Sequence, residues 1–282
     1  MELEAKYLQQ AALDRRMGFP SSFDRVDSID NWRHTRMLDM AAPLFEFFPH
    51  SRWLTVGDGR YGSDAAHLMR RGLLAVATSL TEDLLKQAHD RGYIEDYRAE
   101  NAEKLSCADK EFDFILCKEA YHHFPRPPVA LYEMLRVAKY GVVLIEPVDN
   151  PRALNWFRTL AKKILRGDTE QEFEPSGNYL YRVSVRELRK LMLALGGSVI
   201  AHKGFNDFFV ARLSNYKARG RNFGNMATRI GVGIQDTLAR SRLMGYGLAC
   251  IIVFSSQPPQ SLLEKLRASG FVVDRLPKNP YV

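Results

Sequence analysis

Gly57-Asp58-Gly59-Arg60-Tyr61-Gly62 carries the spacing G-x-G-x-x-G, directly after an apolar run from Arg52 to Val56 and before a helical pattern marked by Ser63 and Asp64. Glycines so placed permit a tight turn and let the backbone approach a ligand that lies across a helix N-terminus. The spacing alone fits an ordinary turn, whereas its place between a strand and a helix points to a nucleotide-type cofactor. About 20 residues further on, such sites usually set an acid against the ribose hydroxyls. This chain has Ser79 there, followed by Leu80, with Glu82 and Asp83 close enough in sequence to replace the acid. A second group is Tyr121-His122-His123-Phe124. Imidazoles titrate near neutrality and suit proton transfer, although each can equally pack and hydrogen-bond within a core, the reading favoured for His123. Glu119 and Tyr121 are lesser acid–base candidates. In a third group, Asn178-Tyr179-Leu180-Tyr181-Arg182, an amide, two phenols and a guanidinium can bind hydroxyls and pair with phosphate or carboxylate. The same rings would also serve as an aromatic plug.

These residues need a scaffold, and the pattern supplies one. From Arg52 onward, strand and helix signals alternate, as in a parallel sheet wrapped by helices. Strands are expected at Arg52–Val56, Leu73–Thr78, Tyr97–Ala99, Phe112–Cys117, Gly141–Glu146, Ser198–Phe205 and Tyr246–Phe254, with an edge strand around Phe271–Val273. Thr81 is expected to cap the helix that opens with Glu82 and Asp83, and Pro127 and Pro128 to open another that Gly141 stops. Ser184 and Glu187 have capping-box spacing. The resulting division is 1–50 as a helical cap, 51–150 as the cofactor-binding core, 151–183 as a lid insertion and 184–205 as core continued. Residues 206–244 form a basic insertion, and 245–282 hold the last core strand and a C-terminal extension.

Composition narrows the class. The chain of 282 residues is 46% hydrophobic and 26% charged, ordinary for a globular protein. Residues 1–150 hold 19 Lys and Arg against 24 Asp and Glu, whereas residues 151–282 hold 21 against 9. A net +12 in the second half suits either an anionic partner or a solvated basic surface. Cys107, Cys117 and Cys250 lack metal-ligand spacing and read as reduced, buried thiols of a cytoplasmic protein, with no metal expected. The longest apolar run, Tyr246 to Phe254, is too short to span a bilayer, and Met1 to Gln10 lacks a signal-type apolar core.

From Trp53 to Pro147 the chain resembles class I S-adenosylmethionine-dependent methyltransferases. The resemblance rests on the order of Leu54-Thr55-Val56-Gly57-Asp58-Gly59, Asn101-Ala102-Glu103-Lys104-Leu105, Phe112-Asp113-Phe114-Ile115-Leu116-Cys117, Tyr121-His122-His123-Phe124 and Leu144-Ile145-Glu146-Pro147. It implies a Rossmann-like α/β fold: seven strands, mostly parallel, an antiparallel last strand, helices on both faces and helical lid insertions. It implies S-adenosylmethionine as cofactor, with Gly57, Asp58, Gly59 and Gly62 around its methionine part, Ser79 and Leu80 at ribose and adenine, and Asn101 and Ala102 at the adenine edge. Cys117 and Lys118 would pass near the sulfonium. In the related fold a segment such as Asn31-Trp32-Arg33-His34-Thr35-Arg36 often closes over the cofactor, although ordinary capping of the sheet is the favoured use of most of these residues. Thr55, Ser79 and Asn101 depart from the family's acids. Placed just past the fourth strand, His122 corresponds to a pocket-facing position and becomes the preferred base, with Tyr121, Asn178, Tyr179, Tyr181 and Arg182 on the acceptor. The favoured reaction is O-methylation of a small, oxygen-rich, anionic metabolite. An RNA or protein methyltransferase, a nicotinamide-dependent oxidoreductase, and an adenosylmethionine-binding module without transfer activity are the alternatives.

Overall fold

The computed structural model describes residues 26–149 and 181–282. Eight strands form one sheet, β1 (Arg52–Val56), β2 (Leu74–Ser79), β3 (Asp96–Ala99), β4 (Phe112–Lys118), β5 (Ala138–Pro147), β6 (Val199–Phe205), β7 (Leu248–Phe254) and β8 (Val272–Arg275), in the order β3-β2-β1-β4-β5-β7-β6-β8. Strands β1 to β5 pair in parallel, while β7 is antiparallel to both β5 and β6. The run expected at Phe271 to Val273 is a full edge strand, antiparallel to β6. The sheet therefore has eight strands where the resemblance implies seven.

Side chains alternate across the pleat, so a sheet covered on both faces needs apolar residues on both parities. Trp53, Phe114, Val143 and Ile252 enter one core, and Leu54, Ile115, Val142 and Ile251 the other. Helices α1 (Ile29–Leu38), α2 (Ala42–Phe47), α3 (Ser63–Arg70) and α4 (Asp83–Asp90) precede β4; α5 (Pro127–Val137), α6 (Val185–Ala194), α7 (Phe223–Arg240) and α8 (Gln260–Ala268) follow it.

Three local expectations are corrected. Helix α4 begins after Glu82, not Thr81, without a side-chain cap. Gly141 does not stop α5, since the chain turns directly into β5 at Ala138 and Gly141 lies inside that strand. Its bare Cα is required because a Cβ there would sit 2.6 Å from the Val253 carbonyl oxygen on β7. Ser184 is the N-cap residue of α6, but its hydroxyl makes no capping hydrogen bond.

The strand order reverses between β1 and β4, with β2 beyond one and β5 beyond the other. At such a switch point the loops leaving the carboxyl ends diverge and open a crevice. That end gathers Gly57–Gly62, Ser79–Leu80, Lys118–His123 and Glu146. The basic insertion is tied to the start of α1: Ile29 N–H donates to the Tyr216 carbonyl (2.9 Å) and Ala218 N–H to that of Asp27 (3.0 Å).

Candidate active site

The glycine loop has the geometry its spacing predicts. Gly57 (φ +80°) and Gly62 (φ +65°) adopt the left-handed backbone that other residues resist. A Cβ on Gly57 would fall 2.4 Å from Ala120 Cβ, and one on Gly59 would sit 3.1 Å from Ser79 Oγ. The loop thus runs with its bare backbone packed closely between the ends of β2 and β4, where side chains would collide.

Asp58 is turned inward. Its buried carboxylate accepts from Asp64 N–H (3.2 Å), Ala65 N–H (2.9 Å) and the Thr55 hydroxyl (2.9 Å), and so caps α3, whose N-cap Gly62 has no side chain to do so. Burial, reinforced by neighbouring Asp64, pushes the Asp58 carboxyl well above its ordinary range. What Asp58 can offer a cofactor is backbone.

Ser79 and Leu80 are half-buried at the end of β2, whereas Glu82 and Asp83 are exposed in the adjoining helix start. Asn101 accepts at Oδ1 from Glu103 N–H (2.9 Å), closing a turn next to buried Ala102. Glu103 anchors that turn to the start of α5 by binding Arg126 through its N–H (2.7 Å) and Nε (2.7 Å).

At the end of β4 the charges are dense. Cys117 is fully buried, and burial pushes its thiol up, so it stays protonated at neutral pH. Lys118 Nζ lies 3.4 Å from Asp64 Oδ1, 3.5 Å from Glu119 Oε2 and 3.2 Å from His34 Nδ1. Burial disfavours its charge, but Asp64 and Glu119 outweigh burial and hold the ammonium above its ordinary value. Glu119 sits at φ +49°, a strained backbone for a side-chain-bearing residue. Burial opposes its ionisation too; Lys118, His34 and Arg33 prevail and hold its carboxyl well below the usual range. His34 Nε2 lies 2.8 Å from Arg60 Nη1, and Nδ1 lies 3.2 Å from Glu119 Oε2. His34 Nδ1 is thus shared between the Lys118 ammonium and the Glu119 carboxylate, while Nε2 faces the Arg60 guanidinium. Arg60 also donates to Asp30 Oδ2 (3.0 Å), tying the glycine loop to α1.

Beyond β4, a 3₁₀ turn (Tyr121–His123) carries the histidines. His122 is buried, and its Nδ1 meets Glu146 Oε2 at 2.5 Å. Glu146, at the end of β5, has no exposed surface and accepts at Oε1 from the Ala120 N–H (3.0 Å) and Tyr121 N–H (2.9 Å). This is a histidine held by a buried carboxylate. The rings of His122 and His123 are 4.0 Å apart, and Tyr121 packs edge-on to Tyr181 at 6.1 Å. Tyr181 N–H donates to the His122 carbonyl (3.4 Å), which brings the end of the first insertion to the site. Arg182 is exposed. Asn178 and Tyr179 lie outside the described residues.

The structure therefore brings together the glycine loop, Ser79, Lys118, Glu119, Tyr121, His122 and Tyr181. Sequence reasoning missed Glu146 as a functional residue, and His34 and Arg60 as a network. The available signal for Glu146 was a carboxylate ending the apolar run Val142-Val143-Leu144-Ile145, where burial demands a partner. Two shallow concavities, about 220 and 280 Å³, lie at the opposite end of the sheet around Phe48 and Tyr140, away from every residue of this cluster. Among the described residues no three His, Cys, Asp or Glu are grouped to hold a metal ion.

Residues 54–145 match the family model described as a methyltransferase domain. That span runs from β1 through β5 and includes the glycine loop and the histidine turn. The core of the chain is thus similar to methyltransferase domains. Solved structures share its fold across most of the chain. An S-adenosylmethionine-dependent methyltransferase from Archaeoglobus fulgidus is 17% identical with a TM-score of 0.51, covering 79% of this chain and 94% of its own. One from Thermotoga maritima is 18% identical with a TM-score of 0.50, covering 84% and 96%. Magnesium protoporphyrin IX methyltransferase from Synechocystis PCC 6803, solved with bound S-adenosylhomocysteine, is 12% identical with a TM-score of 0.51, covering 89% and 97%. No curated protein matches the chain in sequence. The Synechocystis enzyme holds the demethylated product of S-adenosylmethionine, and the strand–turn–helix glycine loop beside Ser79 in this chain fits such a group.

Proposed function

We propose that this methyltransferase O-methylates a small, oxygen-rich, anionic acceptor, with His122 as general base and Glu146 as the residue that orients it. The contact between His122 Nδ1 and fully buried Glu146 Oε2 carries this reading. A carboxylate at Nδ1 fixes the proton there, keeps Nε2 as the acceptor and stabilises the imidazolium once formed.

When bound, S-adenosylmethionine supplies an electrophilic methyl group on a cationic sulfur. The chain's residues divide the remaining work. The backbone of Gly57, Asp58, Gly59 and Gly62 takes the methionine part, Ser79 the ribose, and Leu80, Asn101 and Ala102 the adenine, with Cys117 and Lys118 alongside. His122 Nε2 receives the proton that the acceptor hydroxyl gives up as its oxygen gains the methyl group. Tyr121 and Tyr181 wall the acceptor side, and Arg182 with Asn178 and Tyr179 supplies polar contacts to it. The excess of Lys and Arg beyond residue 150 supports an anionic acceptor, and three free, buried cysteines support a reducing, cytoplasmic setting.

Kinetics with a panel of hydroxylated acids and sugar phosphates tests the reading. His122→Ala should lower kcat, and Arg182→Ala should raise the acceptor KM with cofactor affinity unchanged. Methylation of RNA, accompanied by binding that weakens steeply with salt, would overturn it.

A further inference from the structure

Helix α7 presents two faces, and the fold uses one. Gly224, Thr228, Val232 and Ala239 are buried against the domain. On the opposite side Phe223, Met226, Ile230 and Ile234 recur at helical spacing and are 73%, 52%, 57% and 56% exposed. Scattered exposed apolar residues are normal, but four large ones aligned on one helix face form a patch that monomeric proteins seldom leave bare.

The charge around the stripe identifies what it meets. Residues 206–244 hold seven Lys and Arg (Arg212, Lys217, Arg219, Arg221, Arg229, Arg240, Arg242), every one exposed. The only two acids in that span are engaged: Asp207 accepts from Arg33 Nε (2.9 Å), and Asp236 from the Asn206 backbone N–H (3.1 Å). At 100° per residue, Arg229 and Arg240 fall along one edge of the stripe.

We infer that α7 is a membrane-surface anchor, whose apolar stripe enters the interface of a bilayer rich in anionic lipid while the arginines engage the headgroups. An apolar helix face bordered by cations is the arrangement that binds such interfaces. A span is a different matter: among the described residues no helix is long and apolar enough to cross a membrane. Nucleic acid would satisfy the cations but gain nothing from Ile230 and Ile234. An antiparallel two-fold pairing of stripes would oppose one cationic rim to the same rim on the second copy. The anchor is linked to the site through α1, since Arg229 lies 4.6 Å over the ring of Trp32 on that helix, which also carries His34.

The test uses the full chain and reads sedimentation with vesicles, independent of any acceptor. Binding to vesicles containing phosphatidylglycerol should exceed binding to pure phosphatidylcholine by about tenfold or more and fall with salt. The double substitution Ile230→Gln with Ile234→Gln should weaken it by about tenfold or more. Arg240→Gln and Arg242→Gln should each weaken it by about fivefold. All four positions are exposed, so circular dichroism and melting should match the parent protein. No binding to anionic vesicles at low salt, or binding that the isoleucine pair leaves unchanged, overturns the inference. So does self-association abolished by the isoleucine pair, which would assign the stripe to a second copy. RNA binding without vesicle binding would also overturn it.

Discussion

Replacing Glu146 by Gln separates an orienting carboxylate from a structural clamp. Glu146 is fully buried and serves three donors: the N–H groups of Ala120 and Tyr121 at one oxygen and His122 Nδ1 at the other. The amide keeps one oxygen, and two backbone donors outbid one imidazole for it. Its NH₂ then faces His122 Nδ1, which must become an acceptor, and the ring proton moves to Nε2. In that tautomer His122 cannot take a proton from the acceptor hydroxyl. General bases contribute roughly 10²–10⁴ in rate, or about 3–5 kcal/mol of barrier. We therefore expect kcat, followed as S-adenosylhomocysteine release at saturating acceptor, to fall about 10²–10⁴-fold. Cofactor affinity should stay within about twofold, because the amide keeps the oxygen that holds the Ala120 and Tyr121 N–H groups beside the glycine loop. Loss of charge-assisted hydrogen bonds should also lower stability by about 1–3 kcal/mol, to be read from denaturant unfolding alongside the rates. A folded variant that keeps kcat within about threefold of the parent and the same pH–rate profile would refute the dyad and leave Glu146 as a clamp of the Ala120–His122 backbone.

Three further outcomes follow from the geometry. Gly57→Ala places a methyl against Ala120 at φ +80°, so it should destabilise the fold by about 1–3 kcal/mol and weaken cofactor binding, read by melting and calorimetry. Ser79→Asp should tighten S-adenosylmethionine by about 1 kcal/mol, the margin of a charged over a neutral hydrogen bond; weaker binding would show that the ribose contact is already met elsewhere. Burial opposes the ionisation of Asp30, yet His34, Arg60 and Arg33 outweigh it and hold the carboxyl well below its ordinary value. A depressed folded pKa gives stability that is present above the unfolded value, about 4, and lost as pH falls through the folded one. Asp30→Asn should accordingly cost about 1–3 kcal/mol near neutral pH, and the two melting curves should converge as the solution is acidified below that range.

The fold was legible because a buried parallel sheet leaves a strong mark. Phe112 to Cys117 and Tyr246 to Phe254 are apolar on both parities, and glycines at 57, 59 and 62 fall where only a strand–turn–helix has use for them. Boundaries were read less well wherever a long-range contact overrode a local signal. Gly141 looks like a helix stop, but it is demanded by the carbonyl of Val253 on a strand more than a hundred residues away. Asp58 shows the same limit within the site. Its type and place suggest a cofactor ligand, and only the structure shows it capping α3 and accepting from the Thr55 hydroxyl. His122 could be proposed from its position past β4, but its carboxylate partner could not. Residues 122 and 146 meet because β4 and β5 are neighbours in the sheet, a fact of register that one sequence does not display. The stripe on α7 was equally hidden, since a helix with apolar residues on two sides reads as buried until one side is found bare.

Isothermal titration with S-adenosylmethionine and with S-adenosylhomocysteine, in the presence of a chelator, tests the central claim most directly. The bare glycine cradle beside Ser79 predicts a saturable heat for both ligands, one per chain. That heat should be lost in Gly59→Val, whose branched side chain would crowd the 3.1 Å approach to Ser79 Oγ while circular dichroism stays unchanged. Absence of heat with either ligand at millimolar concentration, in protein shown to be folded, would contradict it.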